Sequence, residues 1–413
     1  MFRKVLPIVA AICIVAGSAG ASWEQFHGDA RNSGVASGDG FGLANMAAPR
    51  FVSSKVGLNA QSSPCVMGGK VFAYGNDKLI AFDKNNGSVK WSATVKDGSA
   101  LWSWSSPSAD KATNSVLIGS GDTVYCFNAD NGSKRWEKQV GDIVNSSPLI
   151  VGGKVYIHAD GGFGMSASFY ALNISDGSTA WSAIAGGGAG SAKPVYQDGL
   201  VYSTIDFKMR AYEAATGNVV WTSPFDAGYA FFGGITYADD VLYAPTYNFS
   251  GDGTLVAVNA LDGSLIWEKP TPSGDATPAV CGDLVLTSGD WMGPGTTTAH
   301  RLSDGSVEWT AALGGWAFSP TVIDLSPAPG DEYAVLTEQN GSKVALVDLA
   351  TGGIAASYSG AGGGPAAIAD GSIYLIGNDG ALWSFGQPVP EPGSLMSLAG
   401  FLFLGGSMTR RRR

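Results

Sequence analysis

The side chains able to do chemistry are few and scattered. The 413-residue chain holds three histidines, His27, His158 and His300, far apart in sequence. There is no HExxH pair, no GxSxG elbow and no phosphate-cradling GxxxxGK[ST] loop, so the motifs of zinc proteases, serine hydrolases and P-loop enzymes are missing. Asp-Gly pairs such as Asp176-Gly177 and Asp304-Gly305 resemble pieces of calcium loops, but they recur in register and read as hairpin turns. His158 and His300 read as satisfied structural histidines on strands, and His27 as a packing residue. Aromatic rings in loops do a different chemistry: they stack on sugar faces or grip a partner protein. The rings in question are Trp102, Trp104, Phe231, Trp291, Trp316 and Phe318, with Tyr229 and Phe232 beside them and Asp206, Asp252 and Asp290 near in the chain. The alternative is that these rings plug a channel and pack loops.

The elements that position them follow from a repeat. Trp91, Trp136, Trp181, Trp221, Trp267 and Trp309 each stand four residues after a glycine, at intervals of 45, 45, 40, 46 and 42 residues. A seventh copy, Gly352 to Ala356, keeps the register without the ring. A period of this length marks a radial or stacked repeat fold. Within one period, short β-branched and aromatic runs alternate with Gly, Asn and Asp turns; residues 62–95 read as four strands. First strands recur at Pro64, Pro107, Pro148, Pro194, Gly234, Pro278, Pro320 and Pro365, one more than the fourth strands that follow them. Arg50 to Val56 is the segment left to complete the last unit and close the ring, which removes exposed sheet edges. The expected fold is all-β: one eight-bladed β-propeller of four-stranded blades over residues 22–387, with seven blades as the runner-up. In such a ring the last-to-first and second-to-third connections emerge on one face, and the aromatic set above falls in them. The longest second-to-third connections are Asp160 to Ser168, Pro245 to Gly253 and Ser288 to Thr298.

Both ends carry addresses. Residues 1–21 read as a signal peptide for the Sec pathway: Arg3 and Lys4, an apolar core from Val5 to Val15, then Ala19-Gly20-Ala21. Cys13 lies inside that core, which does not fit a lipoprotein cleavage box. Residues 388–413 hold Pro390-Glu391-Pro392, an apolar run from Ser394 to Met408, and Arg410 to Arg413. Those fifteen apolar residues would span about 22 Å as a helix, short of a hydrocarbon core of about 30 Å. Removing residues 1–21 and 394–413 strips six of the 25 basic residues and none of the 35 acidic ones, leaving a net charge near −16. That excludes nucleic acid as a partner and favours a well-solvated surface. Cys65, Cys126 and Cys281 then remain; without CxxC or adjacent pairs they read as buried free thiols.

Two family resemblances follow. The tail resembles the PEP-CTERM sorting signal, with Pro390, Glu391 and Pro392 as its motif. This implies transient membrane association, recognition by an exosortase-type protease, and delivery to the cell surface or extracellular matrix. The repeat, written Ala81-x-Asp83-x-x-x-Gly87-x-x-x-Trp91, resembles the tryptophan-docking motif of PQQ-type (quinoprotein-like) propellers, as does the opening from Trp23 to Gly34. That resemblance implies a structural docking role for the six tryptophans, each between neighbouring blades. It also raises PQQ and Ca²⁺ as cofactors. The chain lacks the adjacent cysteine pair and the Glu/Asn/Asp calcium set that quinoprotein dehydrogenases use, so no cofactor, metal or catalytic residue is expected. The expected function is a non-catalytic exported propeller that binds polysaccharide or a surface protein. A reduced PQQ/Ca-dependent oxidoreductase and an outer-membrane assembly scaffold are the alternatives.

Overall fold

In the computed structural model, residues 22–387 are described except 99–103, 160–165, 188–192, 206–207, 225–232, 247–251, 273, 290–293, 316–317, 327–329 and 340. Eight sheets succeed one another along the chain, each with the consecutive strands of its blade antiparallel. Blade 1 is Cys65–Met67, Lys70–Gly75, Lys78–Asp83 and Val89–Thr94. Blade 8 has only three strands of its own, Ala367–Ala369, Ser372–Ile376 and Leu382–Gly386, and Phe51–Val52 completes it antiparallel to the last of them. The eight-bladed reading and its N-terminal closure hold, and seven blades are excluded.

The docking motif is resolved into two contacts of different range. Its small residue faces the tryptophan across the same sheet: Ala81 opposite Trp91, Cys126 opposite Trp136, Ala171 opposite Trp181. Its glycine receives the ring of the preceding blade. A methyl on Gly132 would stand 2.6 Å from the Trp91 ring, and one on Gly177 would stand 2.5 Å from Trp136. Each indole N–H then donates to a backbone carbonyl beyond the blade boundary, as Trp136 does to Ile174 (2.8 Å) and Trp309 to Leu349 (2.7 Å). Burying such a ring removes roughly 150–250 Å² from water, about 4–6 kcal/mol per blade before entropy is counted. At the closing seam Phe51 takes the tryptophan's place against Gly87. Arg50 bonds Tyr374 Oη and Ser372 Oγ beside it, tying the N-terminal strand into blade 8. Where the seventh copy has lost its ring, Tyr358 packs on Trp383 and Phe385 of blade 8.

The hub is braced by the N-terminal segment. Backbone N–H groups at one equivalent position of seven successive first strands donate to it: Val66 to Trp23, Ala109 to Glu24, Tyr196 to Ala30, Tyr237 to Arg31, Val280 to Ser33 and Val322 to Gly34, with Ile150 bonding the Gln25 side chain, all at 2.6–3.1 Å. Val35–Ser37 then runs parallel to the first strand of blade 7. Asp29 shapes the turn by accepting the N–H groups of Arg31 and Ser33. Gly28, at φ +90°, lets the Trp23 ring lie against the backbone. This register corrects one expectation: Tyr237 is the equivalent position in blade 5, so the residue aligned with the prolines is Ile235, not Gly234. Cys65 and Cys126 are buried free thiols, and burial pushes Cys126 up to about 11. Cys281, buried at 2% exposure, is not among those free thiols, against the expectation.

Candidate functional site

The candidate rings fall in last-to-first and second-to-third connections, much of which lies outside the described residues. Of the candidate ring set, Trp104 is half-buried, its backbone N–H donated to the Val144 carbonyl at 2.9 Å. Phe318 is buried, 6% exposed, with its N–H directed to the Thr337 carbonyl, so it forms wall where an exposed ring was expected. Trp102, Phe231, Trp291 and Trp316 lie outside the described residues, as do Tyr229, Phe232, Asp206 and Asp290. Pro390, Glu391 and Pro392 do as well. The histidines have structural partners: His158 Nε2 meets Ser203 Oγ at 2.5 Å, and His300 Nδ1 donates to the Gly305 carbonyl at 2.9 Å.

At the hub, hydroxyls join several neighbouring blades. Ser106 Oγ accepts the Ser63 N–H, Ser147 Oγ the Ser106 N–H, Thr277 Oγ1 the Gly234 N–H and Ser319 Oγ the Thr277 N–H, at 2.8–3.0 Å. These residues occupy the position just before each first-strand proline or its Ile235 equivalent. A buried donor left without an acceptor costs more than the bond itself contributes, so a hydroxyl is the economical choice there.

Sequence reasoning missed the charged member of this ring. Lys193 stands at the same position in blade 4. It is buried, with Nζ 4.5 Å from the Phe26 ring centre, and Phe26 stacks on His27 at 4.9 Å. Burial lowers Lys193 to about 8, with the Asp275 carboxylate opposing that shift. Burial raises Asp275 to about 6 and lowers His27 to about 3. His27 is therefore neutral and, by donating from Nδ1 to the Asn32 carbonyl, keeps an unprotonated Nε2. Gln25, Phe26, Asn32, Ser147 and Lys193 line one small cavity. A signal was present: Ala192-Lys193-Pro194 breaks the Ser-Ser-Pro pattern of Ser62 to Pro64, Ser105 to Pro107 and Ser146 to Pro148.

PQQ is a planar quinone bearing three carboxylates, so a site for it needs an excess of positive charge, and its Ca²⁺ needs clustered oxygen ligands. Around this hub cavity, Lys193 and Asp275 are one charge of each sign. Among the described residues no group of three His, Cys, Asp or Glu side chains is placed to hold a metal ion. The described residues do not fit PQQ with calcium.

A family model, PQQ_2, described as outer membrane protein assembly factor BamB, matches residues 95–203 and 183–386. Tetrathionate hydrolase of Acidithiobacillus ferrooxidans is 25% identical over 338 residues, covering 67% of this chain and 66% of that protein. Outer membrane protein assembly factor BamB of Yersinia pestis is 25% identical over 280 residues, covering 62% of this chain and 67% of that protein. The chain thus spans about two thirds of the length of the curated relatives it matches. The quinohemoprotein alcohol dehydrogenase of Comamonas testosteroni superposes with a TM-score of 0.72 over 89% of this chain and 80% of that one, at 12% identity. At that identity the likeness is one of fold.

Proposed function

The chain belongs to the PQQ_2 family of outer membrane protein assembly factor BamB, and from that membership we propose that it is a non-catalytic binding or scaffold propeller. The observation that carries the reading is the braced hub: seven first strands bond to one N-terminal segment. A ring locked at its axis and at its seam is a rigid platform, and variation is left to the loop face. In this reading that face receives a polysaccharide or a surface protein, with Trp102, Trp104, Phe231, Trp291 and Trp316 as the contacting rings. The protein is exported and sorted through Pro390, Glu391 and Pro392, so the partner is met at the cell surface or in the matrix. Immobilised protein is expected to retain matrix polysaccharide or a specific surface protein, and a Trp104→Ala variant to retain less. No retention of either would sink the reading. Intact mass of the exported protein tests the sorting step: loss of the residues after about Gly393 is expected, and a retained apolar tail would overturn it.

The equal identity to tetrathionate hydrolase favours an enzymatic second reading. Tetrathionate consumed by the purified protein above the buffer rate would replace the first reading. A quinoprotein reading predicts PQQ uptake with Ca²⁺, seen as a bound absorbance band; given the hub charges, none is expected. An assembly-scaffold role would show as lowered outer-membrane protein levels in a deletion strain.

A further inference from the structure

The repeat provides its own control at the hub. The eight equivalent positions are Ser63, Ser106, Ser147, Lys193, Gly234, Thr277, Ser319 and Gly364, and Lys193 is the charged one. An ammonium only donates, so Lys193 cannot accept the N–H of the preceding blade as Ser147 and Thr277 do. The position therefore gives up a side-chain bond between blades and holds a lysine that is 8% exposed. The scaffold meets that charge with the Phe26 ring and, through space, with Asp275. Among the described residues no hydrogen-bond acceptor or carboxylate lies within bonding distance of Nζ; its close contact is the face of Phe26. A ring face offsets only part of the cost of desolvating an ammonium. Asp275 acts on Lys193 through space, from beyond salt-bridge distance. In the same cavity Ser147 Oγ accepts from Ser106 and still has its proton to donate, and the Asn32 side-chain NH2 donates to the Ile235 and Pro194 carbonyls.

We propose that Lys193 is an oxyanion receptor: its ammonium, with the Ser147 hydroxyl that lines the same cavity, takes one carboxylate or sulfur-oxyanion group of a ligand. The assignment goes beyond the binding-platform reading and stands if the protein proves to be an enzyme. A free small anion and an acidic group carried on a polymer share this chemistry.

The test is calorimetric titration of the purified protein with sodium acetate, sodium sulfate and oligogalacturonate. It compares wild type with Lys193→Met, Lys193→Arg and Lys111→Met, the last removing an exposed charge in a blade 2 turn. One saturable site is expected in wild type and in Lys111→Met. Affinity in Lys193→Met is expected to fall by about 10-fold or more, which is about 1.4 kcal/mol. Lys193→Arg keeps the charge and should keep part of the binding. Equal binding of acetate or sulfate and the oligomer would mark a free anion as the source; binding of the oligomer alone would mark a polymer-borne group. Absence of saturable binding to every probe, or equal affinity in Lys193→Met with its fold intact by circular dichroism, would overturn the proposal.

Discussion

At the scale of single residues, burial at the hub sets the response to pH. His27 is held near 3 in the folded chain against an ordinary 6.5, chiefly by burial. The unfolded chain therefore binds the extra proton first, and stability falls as pH drops below 6.5 and keeps falling toward 3. At pH 4.5 the loss from this group is roughly 2–3 kcal/mol. Asp275 has the opposite sign: raised to about 6 from 3.8, it favours the folded state increasingly as pH falls through 6. Urea unfolding at pH 7.5 and 4.5 should show a smaller acid loss in His27→Gln than in wild type, and a larger one in Asp275→Asn. Lys193, lowered to about 8 from 10.5, costs stability at pH 7, and the cost disappears as pH rises from 8 to 10.5. Lys193→Met is expected to be more stable at pH 7, by up to roughly 3 kcal/mol, with the gap closing near pH 10.5. A gap independent of pH would mean that packing, not charge, explains it.

At the scale of elements, the docking glycine does two things at once. Gly132 sits at φ +72° and receives the Trp91 ring, whereas Gly152 sits at φ +58° in a turn with nothing within 4 Å of an added methyl. Both substitutions to alanine carry left-handed strain of about 1–2 kcal/mol, but Gly132→Ala must also displace an indole, for a total on the order of 3 kcal/mol or more. Denaturant midpoints of the two variants separate these effects. Equal losses would show that the ring contact contributes nothing. The motif's alanine and tryptophan were legible because they share one sheet. The forward reach of each ring was legible only through the family resemblance, because no spacing within a repeat specifies which neighbour an outer strand meets.

At the scale of the molecule, the first 35 described residues lie against partners spread from Val66 to Ser384. Such pairing is non-local, so it forms after most of the chain is in place. The hub amides of Ala109, Tyr196, Tyr237, Val280 and Val322 are therefore expected to exchange with solvent only on global unfolding. Deleting residues 22–34 should release that protection at these amides together. Fast exchange of these amides in the intact protein would show that the segment leaves the hub.

The chain's sequence by itself determined the blade count, the closing strand and the identity of the docking rings. Those features recur every 40–46 residues and are written in local turns and alternation. The tertiary structure alone decided how the N-terminal segment threads the hub, which residue of blade 5 holds the proline register, and that Lys193 faces Phe26 and Asp275. These contacts join residues more than 40 positions apart at a ring axis, and their existence depends on the angle through which eight blades turn to close. Period and composition carry no record of that angle.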